Sequence, residues 1–356
     1  MKLSDLGEFG LIDKIRKSSA PPSPSVLVGI GDDAAVVNMR ASTSLLATTD
    51  MLIEGVHFDL SFTDFYSLGW KSAAVNLSDI AAMGGSPRFC LTSLGIPPFF
   101  SVKQIAGFYR GLTALLTAHR TALVGGDTCS SPQGMTVSVT LLGEIEKKFV
   151  VGRGGAKPGD RIFVTGTLGD SSAGLELLKA GASGRQFGVR SSETGVRNRK
   201  TGVRNRDVFS ELRTPYSELV KRHLRPVPRV EWGRALARSR CAHAMIDVSD
   251  GLSSDLSHIC EQSGVGAVVE AGKIPLSPQL RKIAAHLSKT PVRYALDGGE
   301  DYELLFTVPP EKTKKLRSLG LPATEIGEIT RTRKMLMADE RGGTISLRPT
   351  GFNHFA

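Results

Sequence analysis

A chain of 356 residues, 40% hydrophobic and 22% charged, is long enough for two domains with cores of their own, and no apolar run approaches the ~18 residues of a membrane span. The net charge of +10 would suggest a polyanion-binding protein if it were spread out, but residues 185–234 hold thirteen Lys and Arg against five Asp and Glu, which leaves the rest nearly balanced. Cys90, Cys129, Cys241 and Cys260 form no Cys-x-x-Cys pair, which argues against a zinc site or a disulfide framework, and the first residues lack an apolar signal core, so a cytoplasmic protein is expected.

In chain order, a short helical pattern (Phe9, Leu11, Ile12, Ile15) precedes a Ser/Pro-rich loop at 18–24. A strand over 26–30 then runs into Gly31-Asp32-Asp33-Ala34. The glycine spacing here imitates a dinucleotide-binding turn, but two aspartates at the turn would repel a pyrophosphate and no helix clearly follows. Two readings stay open, an acidic turn between strands or a metal-ligating turn. A second strand, 44–50, ends in Thr48-Thr49-Asp50, and the following stretch carries Glu54 and His57.

Residues 66–83 read as a helix, with Trp70, Ala73, Ala74, Leu77, Ile80 and Ala81 at helical spacing and Asp79 alone among small and apolar neighbours. Gly84-Gly85-Ser86-Pro87 reads as its stop. A strand over 89–96, an amphipathic helix over 102–117, a strand at 122–128 that meets Gly125-Gly126-Asp127-Thr128, and an alternating strand over 135–145 complete a mixed α/β first half. A turn-rich stretch at 151–160 marks the expected boundary between a domain of residues 1–150 and one of 151–356.

The second half opens with a strand at 161–166. The glycine-rich start of a helix at 169–175 could receive a phosphate, although capping by Asp170 or Ser171 explains it equally well. Between 184 and 212, Gly-Val-Arg recurs at 188, 195 and 202, a seven-residue repeat too polar to bury a core; it reads as an exposed insertion. A helix at 216–223, a proline-rich connector at 225–229, and a strand ending in Asp247-Val248-Ser249-Asp250-Gly251 follow, with a helix from Leu252. Gly298-Gly299-Glu300-Asp301 precedes another strand, and the end carries Phe352 in an aromatic tail.

The informative acids, Asp33, Asp50, Asp79, Asp127, Asp247 and Asp250, lie at strand or helix ends beside Thr48, Thr49, Thr128 and Ser249, almost without a lysine nearby. Acids gathered without fixed cations point to a divalent metal, and oxygen ligands without histidine or thiolate point to magnesium or calcium rather than zinc. Magnesium completes its shell with phosphates, so a nucleoside triphosphate is the natural ligand; yet there is neither a P-loop nor a protein-kinase catalytic loop, so the metals would do the work of a P-loop lysine.

The motifs Gly-Ile-Gly-Asp-Asp-Ala-Ala at 29–35, Thr-Thr-Asp at 48–50 with His57-Phe58, and Ala-Val-Asn-Leu-Ser-Asp-Ile-Ala-Ala-Met-Gly at 74–84 resemble those of the thiamine-monophosphate kinases. So do Gly-Gly-Asp-Thr at 125–128, Asp-Val-Ser-Asp-Gly-Leu at 247–252, Gly-Gly-Glu-Asp-Tyr-Glu-Leu at 298–304 and Gly-Phe-Asn-His-Phe at 351–355. They fall in the family's order, and only about 184–212 is foreign to the pattern. The resemblance implies the two-domain α/β fold of the aminoimidazole-ribonucleotide-synthetase-like ATP-binding proteins, a homodimer joined through its N-terminal sheets, and magnesium-dependent transfer of the ATP γ-phosphoryl group to thiamine monophosphate with no general base. It further implies magnesium ligation by Asp33, Thr48, Thr49, Asp50, Asp79, Asp127, Asp247 and Asp250. ATP contacts would come from Tyr109, Gly126, Asp127, Arg153 and Ser249, and acceptor contacts from His57, Glu300 and Phe352. Arg153 is followed by Gly154 where the family commonly has a hydroxyl residue. The rivals are a sister ATP-dependent enzyme that activates an amide or carbamoyl oxygen, or a polyanion-binding module working through the basic insertion. Neither a membrane nor a nucleic acid is an expected partner.

Overall fold

The computed structural model describes residues 26–28, 32–38, 42–182, 217–339 and 343–352. The helical pattern at 9–15, the loop at 18–24, the repeat at 188–206 and the tail beyond Phe352 lie outside the described residues.

Two mixed sheets carry the fold, as the α/β reading expects. The first contains β1 (Val26–Val28), β2 (Ala35–Asn38), β3 (Thr43–Ile53), β4 (Ser86–Ile96), β5 (Ala122–Ser130) and β6 (Thr136–Glu146), in the order β1-β2-β3-β6-β4-β5. Its pairs are antiparallel except β4 with β5. That parallel pair needs a crossover, which α2 (Val102–Ala118) provides. The second sheet contains β7 (Arg161–Thr165), β8 (Ala244–Asp247), β9 (Gly266–Glu270), β10 (Leu304–Val308), β11 (Ala323–Thr330), β12 (Met335–Ala338) and β13 (Thr344–Ser346), in the order β13-β12-β9-β11-β7-β10-β8.

Between the sheets lies α1 (Phe65–Ala82), started by Asp64, whose side chain accepts from the Ser67 N–H at 2.9 Å. Almost every residue of α1 is buried, because it packs on α2, on the first sheet, and on α5 (Val230–Ser239) and β8 of the second half. Its crossing with α2 is set by glycines: a Cβ on Gly69 would lie 1.9 Å from the Phe108 carbonyl oxygen, and one on Gly111 would lie 1.8 Å from that of Tyr66. The helix ends at Gly84, whose φ of +74° suits a residue without a side chain. Ser86 and Pro87, read above as part of the stop, already belong to β4; Pro87 sits where the β4–β6 register shifts, a place that tolerates a missing donor.

One continuous core runs from Leu46, Leu77 and Phe108 through α1 to Phe163, Met245 and Phe306, so the two sheets share packed side chains. The proline-rich connector is tied to α1: the Trp70 indole N–H donates to the Pro226 carbonyl oxygen at 2.7 Å, and the Arg225 guanidinium covers the Tyr66 ring. Arg229 closes this region with an ion pair to Glu303, which is fully buried.

The glycine-rich start of α3 (Asp170–Ala182) resolves one open reading. Its backbone N–H groups at Gly169 and Ser171 donate to the Asp301 carboxylate, at 2.6 and 3.2 Å, so this helix start is satisfied from within the chain, by Asp301 and not by the expected Asp170 or Ser171.

Candidate functional site

A cleft of about 1330 Å³ opens between the two halves. The second half of β3, Thr48 to Ile53, borders it, and strand alternation decides which of these side chains lie on the inner face. Ser44, Leu46, Thr48 and Leu52 are buried on the inner face, and Asp50 shares that face. Asp79 arrives near the end of α1, and the Thr48 hydroxyl donates to its carboxylate. Asp247 arrives from the end of β8, where the Ser78 hydroxyl donates to it at 2.6 Å. Asp33 comes from the turn before β2. One carboxylate oxygen each from Asp33, Asp79 and Asp247 lie within 4.8 Å of one another. Asp50 and Asp250 line the same cleft.

The charges in this group oppose one another. Burial, then the neighbouring Asp50, Asp247 and Asp33, push the Asp79 carboxyl far above the usual carboxylate range. Burial and Asp33 do the same to Asp247, while Asp50 is raised to about 6 by burial and by Asp33. The expectation of acids without a fixed cation needs one correction: Arg153 grips Asp33 in a fork, Nη2 to Oδ1 at 2.6 Å and Nε to Oδ2 at 3.0 Å. One guanidinium does not balance this many carboxylates. An all-oxygen donor set with raised pKa values fits a hard divalent cation such as magnesium.

The opposite wall is built by loops of the second half. After β8, Ser249 and Asp250 turn at Gly251 into α6 (Leu252–Ser263). The loop after α7 (Pro291–Asp297) is stitched to that turn by the Glu300 N–H to the Ser249 carbonyl oxygen at 2.7 Å and the Tyr302 N–H to that of Val248 at 2.9 Å. The stitching holds Glu300 at a φ of +65°, an unusual conformation for a residue with a side chain. The stretch up to Phe352 is docked by backbone bonds from Thr350 and Gly351 to the Ser253 and Ser254 hydroxyls and from Phe352 to the Asp250 carbonyl oxygen. Phe352 therefore stands half-exposed over the cleft, with His57 among its other lining residues.

Of the residues singled out from sequence, Asp33, Thr48, Thr49, Asp50, His57, Asp79, Arg153, Asp247, Ser249, Asp250, Glu300 and Phe352 line this one cleft. Thr49 does so from the outer face of β3, where its hydroxyl is engaged by the Val139 carbonyl oxygen and Thr140, so that hydroxyl does not join the acids. Three residues are not brought in. Asp127 is exposed on the edge strand β5, three strands from β3 in the sheet order, ~14 Å at the usual strand spacing. Gly126 is beside it, and Tyr109 packs on α2 against the core. Sequence reasoning passed over Asp32, whose carboxyl is raised to about 6 by burial and by Asp33, and Asp255, whose carboxylate accepts from the Gly251 N–H at 3.0 Å. It also passed over Lys71 and His223, which hold Glu300 from α1 and from α4 (Ser217–Leu224). A lysine in the apolar stripe of a buried helix was the available signal for the first of these; nothing local marked His223.

Comparison with known proteins places this geometry. The AIR synthase related protein N-terminal domain matches residues 31–145 and the corresponding C-terminal domain matches 157–338. The thiamine-monophosphate kinase of Aquifex aeolicus (strain VF5) is 37% identical over 355 residues, covering 100% of both chains. That of Bacillus subtilis (strain 168) is 38% identical, covering 98% of this chain and 100% of its own. Among solved structures, AaThiL complexed with AMPPCP and TMP superposes with a TM-score of 0.80 at 38% identity, covering 99% of each chain. The hydrogenase maturation protein HypE in complex with ATP shares the fold, with a TM-score of 0.64 at 18% identity over 92% of this chain and 90% of its own.

Proposed function

The chain belongs to the thiamine-monophosphate kinases, and from that membership we propose that it transfers the γ-phosphoryl group of ATP to the phosphate of thiamine monophosphate, giving thiamine diphosphate and ADP. The observation that carries the reading is the convergence of Asp33, Asp79 and Asp247 at a cleft whose other wall presents Glu300 and Phe352. Asp33, Asp79 and Asp247, with Asp50, Asp250 and the Thr48 hydroxyl beside them, are the residues that would hold magnesium. Bound there, magnesium neutralises the phosphates of donor and acceptor and so supplies the electrostatic part of the catalysis.

The remaining work falls to the chain itself. The acceptor phosphate is already an anion near neutral pH, so no residue has to remove a proton from it, in contrast to a sugar hydroxyl. Arg153, whose Nε–Nη2 fork is held by Asp33, would meet ATP with the edge of the guanidinium that Asp33 leaves open, and Ser249, which lines the same cleft, would be a second ATP contact. Phe352, half-exposed, offers a ring face to the cationic thiazolium, and His57 and Glu300 meet the organic part of the acceptor. Bringing two polyanions together in line is the catalytic task, and rigid walls from both sheets perform it.

A homodimer belongs to the same proposal. The outer face of the first sheet exposes Met51, Ile53, Phe89 and Leu91, and Val124 is exposed on β5. An apolar face of this kind suits a second copy. In such a dimer Tyr109, Gly126 and Asp127, outside the cleft of their own chain, would serve the cleft of the other copy. The two units, 1–150 and 151–356, and a cytoplasmic location complete the reading; no helix among the described residues is long and apolar enough to cross a membrane.

The test is direct. Purified protein with saturating magnesium, ATP and thiamine monophosphate should form thiamine diphosphate and ADP in equal amounts, followed by chromatography. A folded preparation that forms none sinks the proposal.

A further inference from the structure

Lys71 lies in the middle of α1, eight residues before Asp79, with its side chain 2% exposed. An ammonium so buried is costly unless something answers its charge. Its Nζ lies 2.6 Å from Glu300 Oε1 and 3.5 Å from the His57 carbonyl oxygen. The other carboxylate oxygen, Glu300 Oε2, lies 3.2 Å from His223 Nδ1, and His223 is itself 3% exposed and 3.2 Å from the Ser171 hydroxyl. Two helices far apart in sequence, α1 and α4, thus converge on one carboxylate.

A purely structural ion pair would hide its carboxylate, and the chain contains one for comparison. Glu303, three residues on, is fully buried against Arg229, which keeps 13% of its side-chain surface, and its other bonds go to Thr165 and Arg222. Glu300 differs: its side chain keeps 27% of its surface and opens into the cleft. Burial would raise its pKa, but Lys71 and then His223 outweigh that and hold the carboxyl well below the usual range. Burial, with Lys71 adding to it, lowers the pKa of His223 and keeps that ring neutral. Lys179, from α3, is the other cation acting on His223. Lys71 and Glu300 therefore sum to no net charge. Each Glu300 oxygen spends one lone pair inward and keeps acceptor capacity toward the cleft. What Glu300 presents is a fixed hydrogen-bond acceptor rather than a counter-charge.

We propose that Lys71, together with His223, is a positioning residue for acceptor recognition, holding the Glu300 carboxylate so that it accepts a hydrogen bond from the neutral amino group of the acceptor's pyrimidine rather than pairing with its cationic thiazolium. The proposal rests on the reading of Glu300 as an acceptor contact given above.

The experiment measures kcat and the separate KM values for ATP and thiamine monophosphate in the full chain, for wild type, Lys71→Met, Glu300→Gln and the double variant. Each single change should raise the KM for thiamine monophosphate about tenfold to a hundredfold, the loss of one charge-assisted bond, with KM for ATP and kcat nearly unchanged. The double variant should be no worse than Glu300→Gln alone, because Lys71 acts through Glu300. Effects that multiply in the double variant, an unchanged KM in Lys71→Met, or a parallel loss in kcat and KM for ATP would each overturn the proposal. An acceptor whose pyrimidine amino group is replaced by an oxo group should bind wild type more weakly and Glu300→Gln no more weakly than the natural acceptor; equal losses in both enzymes also overturn it. Failure of the underlying reading looks different: wild type forms no thiamine diphosphate, or Glu300→Gln alone keeps a normal KM. Should Lys71→Met not fold, His223→Gln and His223→Leu replace it. The glutamine keeps a donor toward Glu300 and should restore most of the affinity that the leucine loses; equal KM values in the two overturn the proposal.

Discussion

Asp79 shows what a single residue contributes and what it costs. It is half-buried among carboxylates, and it keeps company with Asp50, Asp247 and Asp33 without a cation of its own; the one arginine lining the cleft among the described residues is spent on Asp33. In the absence of metal such a residue works against folding, because burial and repulsion both penalise its charge. Asp79→Asn preserves the shape and leaves an oxygen for the Thr48 hydroxyl to bond, but removes the charge. The expected result has two parts that point in opposite directions. Turnover falls by roughly a thousandfold or more, since the donor set for the cation is broken. The melting temperature without magnesium rises above that of wild type, while the increase that magnesium gives to wild type shrinks. Calorimetric scans of both proteins with and without magnesium check this; a variant less stable than wild type in the metal-free state would show that the cluster is not under electrostatic strain.

At the scale of elements, α1 is the part on which the cleft depends, because it joins both sheets and carries Lys71, Ser78 and Asp79 to the cleft or to the residues that line it. Its seat against α2 leaves no room at Gly69. A Cβ there would lie 1.9 Å from a backbone carbonyl oxygen, which cannot rotate away as a side chain could. Gly69→Ala should therefore cost about 3 kcal/mol or more in denaturant unfolding, against a cost near zero for Gly181→Ala, where nothing lies within 4 Å. This also shows what the sequence made legible. Strand ends bearing acids, a helix closed by Gly84 and a helix opening after Gly251 follow from local periodicity and backbone preference, and they were readable. The period-two rule puts Thr48 and Asp50 on one face and Thr49 on the other, so the expectation of all three as ligands ran against it, and the structure separates them as the rule does. The fork of Arg153 on Asp33 joins residues 120 apart, and the grip of His223 on Glu300 joins residues 77 apart; no local pattern encodes either pairing. The phosphate reading of the α3 start was undecidable for the same reason, since the competing anion, Asp301, comes from a loop more than a hundred residues later.

At the scale of the whole molecule, the question is how a site can use an aspartate that the chain places outside its own cleft. Sheet order is non-local, so spacing along the chain could not reveal that β5 is the edge strand, three positions from β3. Asp127 there accepts from its neighbour Thr128 N–H at 2.8 Å, and its side chain is exposed. If two copies join through the apolar outer face of the first sheet, each complete site takes Asp79 from one copy and Asp127 from the other. This arrangement makes a prediction that a site built within one chain does not. Asp79→Asn and Asp127→Asn homodimers should each be nearly inactive. Mixed by co-expression, they form heterodimers in which one of the two sites carries both mutations and the other carries neither. With random pairing, half of the dimers are mixed and each has one intact site, so roughly a quarter of wild-type activity should return. Differently tagged subunits, purified through both tags, would bring the recovered fraction to about half. If the residues act within one chain, every site in the mixture keeps one lesion and no activity returns. If Asp127→Asn alone turns over normally, Asp127 has no part in the reaction, and the site is complete with the acids that β3, α1 and β8 already bring together.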